Sequence, residues 1–121
     1  MIRSLWCALA LAAIVARPVP AQTPAAPFDQ AKALAELRKS IEGKEDQTAV
    51  DVFMNIKQYK GVTAERLLRI MEFGFSRSLG VTCTHCHIPG EWESDEKGAK
   101  ETGRAMSVMV SAINNEYLKN I

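Results

Sequence analysis

Leu79-Gly80-Val81-Thr82-Cys83-Thr84-His85-Cys86-His87 is the stretch that decides the reading of this chain. Its last five residues are Cys-x-x-Cys-His. Two thiols at that spacing can each add across a vinyl group of haem. The histidine that follows directly then lies under the iron and supplies an axial nitrogen. Covalent haem attachment of this kind belongs to exported proteins, so the rest of the sequence has to supply an export signal.

The amino terminus supplies one. Met1-Ile2-Arg3 is a short positive start, and Ser4 to Ala16 is an almost unbroken apolar run of about 13 residues, too short to span a bilayer comfortably. Arg17-Pro18-Val19-Pro20-Ala21 closes it with small residues at Val19 and Ala21. This predicts a secretory signal peptide over residues 1–21, cleaved after Ala21. Cys7 leaves with it. A retained signal would give a membrane-associated form instead. The mature chain has 100 residues, loses Arg3 and Arg17, and carries a net charge of −1. It keeps two cysteines, Cys83 and Cys86, and two histidines, His85 and His87. No further apolar run approaches membrane length. Residues 22–27 read as a flexible leader and residues 28–121 as a single domain.

Composition narrows the function classes. Of the 121 residues 47% are hydrophobic and 24% charged, with 15 Lys+Arg against 14 Asp+Glu. This is a globular composition without the basic excess that nucleic-acid binding requires. A domain this small has a thin apolar core and benefits from a staple, which covalent haem would be.

The periodicity is helical throughout. Ala31, Leu34, Ala35 and Ile41 recur at helical spacing after Asp29, with Gly43 as a stop. A second helix is expected over about Thr48 to Tyr59, carrying Val52, Phe53, Ile56 and Tyr59, with Gly61 ending it. A third opens at Thr63 as N-cap, presents Leu67, Leu68, Met71, Phe75 and Leu79, and stops at Gly80. Pro89-Gly90 marks a turn. A last helix begins near Ser94 or Asp95, with Ala99, Thr102, Met106, Met109, Val110, Ile113 and Tyr117 on one face. Nothing alternates with period two. The expected fold is all-α, about four helices packed around one covalently attached haem.

Three other uses of the cysteines are less consistent with the chain. A zinc site needs two ligand pairs set apart, and here every candidate falls within five residues. A thioredoxin-type dithiol follows a strand, and no strand precedes Cys83. A Cys83–Cys86 disulfide closes a very small loop, stabilises little and leaves His87 without a role. His85, between the two thiols, reads as solvent-facing. With His87 as proximal ligand, no histidine remains for the distal side, which is left to a methionine, a lysine amine, water or nothing. The mature chain offers Met54, Met71, Met106 and Met109, any of which at helical spacing can be core filler.

The segment Phe75 to His87 resembles the haem segment of the cytochrome c subunit of photosynthetic reaction centres. Val52-Phe53-Met54-Asn55-Ile56, then Leu67-Leu68 and Met71, look like the upstream helices of small one-haem members. Ser94-Asp95-Glu96-Lys97, then Ala105-Met106, Met109-Val110 and Ile113-Asn114, look like their downstream helix. In that family the methionine ligand comes from the helix before the motif, so the resemblance implies Met71 as the distal ligand, with Met106 or Met109 as the competing choice. A single Cys-x-x-Cys-His means one haem c rather than four. The expected function is single-electron transfer in the periplasm, with iron held by His87 and Met71. The chain itself performs no bond chemistry, so it is not expected to be an enzyme. Its expected partners are redox proteins in the periplasm or at the membrane surface. Phe75, Leu79, Val81, Ile88, Trp92, Met106, Met109 and Ile113 are candidates for lining the pocket. The alternative is a haem-based ligand-binding or sensor module with an open sixth coordination site. The 34 residues that follow His87 do not suit gas-binding four-helix proteins, which carry the motif near the end of the last helix.

Overall fold

A computed structural model describes residues 27–121, and the expected signal peptide and almost all of the leader lie outside the described residues. The architecture is all-helical, with about four helices. Among the described residues the only β pairings are two isolated bridges, Thr48 with Thr63 and Ile88 with Glu91.

Helix α1 spans Gln30–Ser40. Asp29 caps it, its carboxylate accepting the Lys32 N–H at 2.9 Å, and Arg38 and Lys39 stand in its last turn where the helix dipole favours cations. Helix α2 is short, Ala49–Val52. Helix α3, Ala64–Arg69, is capped by the Thr63 hydroxyl and continues as a π-helix over Ile70–Arg77. Gly80, at φ 67°, ends this run as its position after Leu79 predicts. Helix α4 spans Gly98–Ala112 and ends in a π-turn, Ile113–Tyr117.

The second helix departs from expectation. Periodicity predicts helix as far as Tyr59, yet the helix stops at Val52, and Phe53 is extended. Asn55 and Tyr59 both sit at φ 58°, a left-handed conformation that no α-helix contains. Long-range bonds win over local propensity here. The Asn55 amide donates to the Glu93 carbonyl at 2.6 Å and to Asp95 Oδ1 at 2.9 Å. The Ala49 N–H donates to Val62 O and the Ala64 N–H to Gln47 O, both at 2.8 Å. Residues 53–61 thus form a loop that returns to the start of α2, where Ala49 meets Val62, the geometry of an Ω-loop.

The core lies where α1, α2 and α3 meet. Ile41, Ala64 and Leu68 are buried together, with Leu37, Val52 and Phe53 packed against them. Ala49 and Ala64 are fully buried, their small side chains allowing the close approach of the two backbones they join. Beside this core lies Glu72, buried to 7% exposure. Its carboxylate accepts from Arg38 at 2.6 Å and from Arg77 at 2.7 Å, tying α1 to the π-helix. The Arg38 hydrogen bond lowers the Glu72 pKa, against burial, which raises it, and with the help of Arg77. The folded-state pKa lies below the unfolded one. The stabilisation is therefore present above the unfolded carboxylate value and is lost as pH falls through the folded one. Glu72→Gln is expected to lower stability at pH 7 by roughly 1–3 kcal/mol, taken as the loss of charge-assisted hydrogen bonds to partly hydrated arginines. Denaturant midpoints of the two proteins should converge as the medium is acidified. A constant gap down to acid pH would show that the carboxylate charge contributes nothing.

Helix α4 is held differently. None of its residues is buried. The side it turns to the rest of the fold carries Lys100, Gly103, Arg104 and Ser107, with Gly103 against the Phe75 ring. Of the face expected to pack, Met109 is 56% exposed, and Thr102, Val110, Ile113 and Tyr117 are exposed too. The rotation follows from Asp95. Its carboxylate meets Arg104 at 2.8 Å, Lys100 at 3.3 Å and Lys57 at 2.6 Å. Lys100 and Arg104 are four residues apart, one above the other on the helix, so pairing both with Asp95 fixes which face turns inward.

Candidate functional site

One turn carries the motif. Cys83–His85 is a short 3₁₀ segment, and the His87 N–H closes it on Cys83 O at 2.9 Å. Residues 83, 86 and 87 are three and four apart, so this turn sets Cys83, Cys86 and His87 on one side. All three line a cavity of about 470 Å³. His85 points away and is exposed. Both thiols are half-buried and unbonded, and burial raises the pKa of each. A redox-active dithiol would need the opposite shift. Among the described residues, no group of three or more His, Cys, Asp or Glu is gathered for a metal ion.

His87 is oriented by the turn that follows it. Pro89 and Gly90, the latter at φ 85°, occupy the central positions that a type II turn assigns to them, and Glu91 N–H bonds back to Ile88 O at 2.9 Å. The turn brings the Trp92 carbonyl to 2.8 Å from His87 Nδ1. A carbonyl only accepts, so Nδ1 carries the proton and Nε2 keeps its lone pair. Burial lowers the His87 pKa, and nearby Lys100, Arg104 and Lys97 add to that against the Trp92 bond. A neutral imidazole with Nε2 unprotonated is the form that ligates a metal.

The motif is clamped from a distance by Gln30. Its Oε1 accepts the Cys83 N–H at 3.2 Å, and its Nε2 donates to Ser76 Oγ at 3.0 Å. The Ser76 hydroxyl in turn donates to the Val81 carbonyl. The first residue of α1 thus holds the approach to the motif against the π-helix. Sequence reading missed Gln30, because a polar residue beside an N-cap carries no signal of a tertiary partner.

The cavity walls are mainly apolar. Phe75, Leu79, Val81 and Trp92 line it, four of the eight expected residues; Ile88, Met106, Met109 and Ile113 do not. Met71, on the π-helix, lines it, and so does Met54 from the Ω-loop, although Met54 is 70% exposed. The loop contributes a wall: Phe53, Ile56 and Tyr59, expected on the apolar stripe of a helix, line the cavity together with Asn55 from the irregular segment after Val52. One end of the cavity is cationic, with Lys57, Lys100 and Arg104 converging on Asp95. The hydrogen bond from Lys57 and then that from Asn55 hold the Asp95 carboxyl far below the ordinary carboxylate value.

The arrangement fits a haem attached through two thiols. Both thiols and a neutral imidazole open into one apolar cavity whose volume lies in the range of cofactor sites. The sequence model of a family described as photosynthetic reaction centre cytochrome C subunit matches residues 19–121. The chain belongs to that family. Members of the reaction centre cytochrome c family are haem c proteins that transfer electrons. No curated protein and no solved structure matches the chain significantly. The family match covers the whole described region, so the cavity and the motif lie within it. Among the described residues, no helix is long and apolar enough to cross a membrane.

Proposed function

We propose that this protein is an exported, periplasmic mono-haem cytochrome c that carries single electrons between redox partner proteins. The observation that carries the reading is the convergence of Cys83, Cys86 and a pre-oriented His87 on one apolar cavity. Cys83 and Cys86 would hold the haem through thioether bonds, His87 Nε2 would be the proximal ligand, and Met71 would be the distal one. When bound, the haem supplies a one-electron iron couple. The chain's own part is to exclude water with Phe75, Leu79, Val81 and Trp92, and to fix the imidazole through Trp92. The expected signal peptide supports the location. The family takes its name from reaction-centre subunits, but the single motif here suits a small carrier.

The reading is tested by extracting denatured protein with acid and organic solvent. Thioether bonds survive denaturation, so the haem is expected to stay with the polypeptide. Recovery of all the haem in the organic phase would overturn the assignment.

A further inference from the structure

The Trp92 carbonyl has two donors. His87 Nδ1 lies 2.8 Å from it, and Lys100 Nζ lies 3.0 Å from the same oxygen. Lys100 also donates to the Ser94 carbonyl at 2.8 Å, and its side chain is only 10% exposed. Its carboxylate neighbour, Asp95, is 3.3 Å away and is shared with Lys57 and Arg104, and Arg104 also pairs with Glu101 at 2.9 Å, so two negative charges face three positive ones. Lys100 is thus a nearly buried ammonium, incompletely neutralised, one carbonyl removed from the imidazole.

We propose that Lys100 is a positioning residue that raises the reduction potential of the haem by polarising the Trp92 carbonyl that His87 bonds to. The inference rests on the haem reading above. A carbonyl oxygen has two lone pairs, and an ammonium on one withdraws electron density from the other. The Trp92 oxygen becomes a weaker acceptor for the His87 Nδ1–H. A strong acceptor there makes the imidazole more basic and a better electron donor through Nε2. Weakening the acceptor reduces that donation. The oxidised iron carries the greater positive charge and depends on donation more, so its stability falls and the potential rises. The ammonium charge in a poorly hydrated site acts in the same direction.

A merely structural role for Lys100, pinning residues 92–95 to α4, predicts no such effect. The test uses the full-length holoprotein in four variants. Lys100→Met removes charge and donor. Lys100→Gln keeps a neutral donor and serves if the methionine variant folds poorly. Lys100→Arg restores the cation. Lys57→Met removes a cation from Asp95 without touching Trp92. Two quantities are read: the midpoint by spectroelectrochemistry, and the ¹⁵N and proton shifts of His87 Nδ1–H in the reduced protein. At a fixed potential near the midpoint, Lys100→Met and Lys100→Gln are expected to raise the oxidised-to-reduced ratio by up to about tenfold, equivalent to about 59 mV for one electron. The Nδ1–H resonance should move toward a stronger hydrogen bond. Lys100→Arg should return both toward the wild-type values, and Lys57→Met should leave the resonance in place. An unmoved resonance in both neutral variants would overturn the proposal, as would a midpoint shift in Lys57→Met equal to that in Lys100→Met. Failure of the haem reading is seen separately, as wild-type protein without covalent haem.

Discussion

Replacing Cys83 and Cys86 together by alanine is expected to abolish covalent haem altogether. Acid extraction should then leave a colourless polypeptide. The fold should suffer as well, for a reason visible in the packing. Among the described residues the buried apolar set is Ala33, Leu34, Ile41, Ala49, Ala64, Leu67 and Leu68, three of them alanines, and all of it lies on α1, α2 and α3 except Ile41, which caps the end of α1. Such a core is thin for a domain of this size. The cavity walls formed by the Ω-loop, the motif and α4 have little else to pack on. Circular dichroism should show helix content falling in the double variant, whereas either single variant keeps one thioether and much of the structure. A double variant that retains haem through denaturation would mean that the motif is not the attachment site.

Met71→Ala is expected to remove the methionine–iron absorption band, to open the reduced protein to carbon monoxide and to lower the midpoint. The shift should be on the order of 0.1 V, within the roughly 0.8 V over which axial ligands set haem potentials. Met71 lines the cavity with His87, while Met106 and Met109 do not, and Met109 is largely exposed. Alanine at either of those positions should leave spectrum and potential alone. The informative comparison is Met54→Ala. Met54 also lines the cavity, from the Ω-loop rather than from the helix preceding the motif. If Met54→Ala loses the band and Met71→Ala keeps it, the distal ligand comes from the loop.

The parts legible in the sequence were those decided by local spacing. Cys83, Cys86 and His87 could be grouped because one turn is enough to align them. Thr63 as a cap, Gly80 as a stop and Pro89-Gly90 as a turn each rest on a backbone preference of the residue itself. The parts that were not legible are decided by polar groups far apart in the chain. Asn55 leaves the helical region to reach Glu93 and Asp95, which ends α2 early. Asp95 collects Lys100 and Arg104 and so turns the apolar stripe of α4 outward. Apolar periodicity assumes that burial orients a helix, and here ion pairs do. Trp92 was found as a wall residue, but its carbonyl, a backbone atom, has no signature in a side-chain pattern.

The same separation between near and far contacts bears on the order of assembly. The motif turn and the bond from His87 to Trp92 join residues three to five apart. The clamps that close the cavity join Gln30 to Cys83, Asn55 to Asp95 and Arg104 to Asn55, spans of 53, 40 and 49 residues. Loop-closure entropy weighs on the second group and hardly on the first. A chain that emerges amino terminus first can form the motif turn once residue 92 is free, but cannot seat α4 until residue 104 follows. In that interval the two thiols and the imidazole are already aligned while the far wall is missing, which leaves a wide entrance for a large planar cofactor.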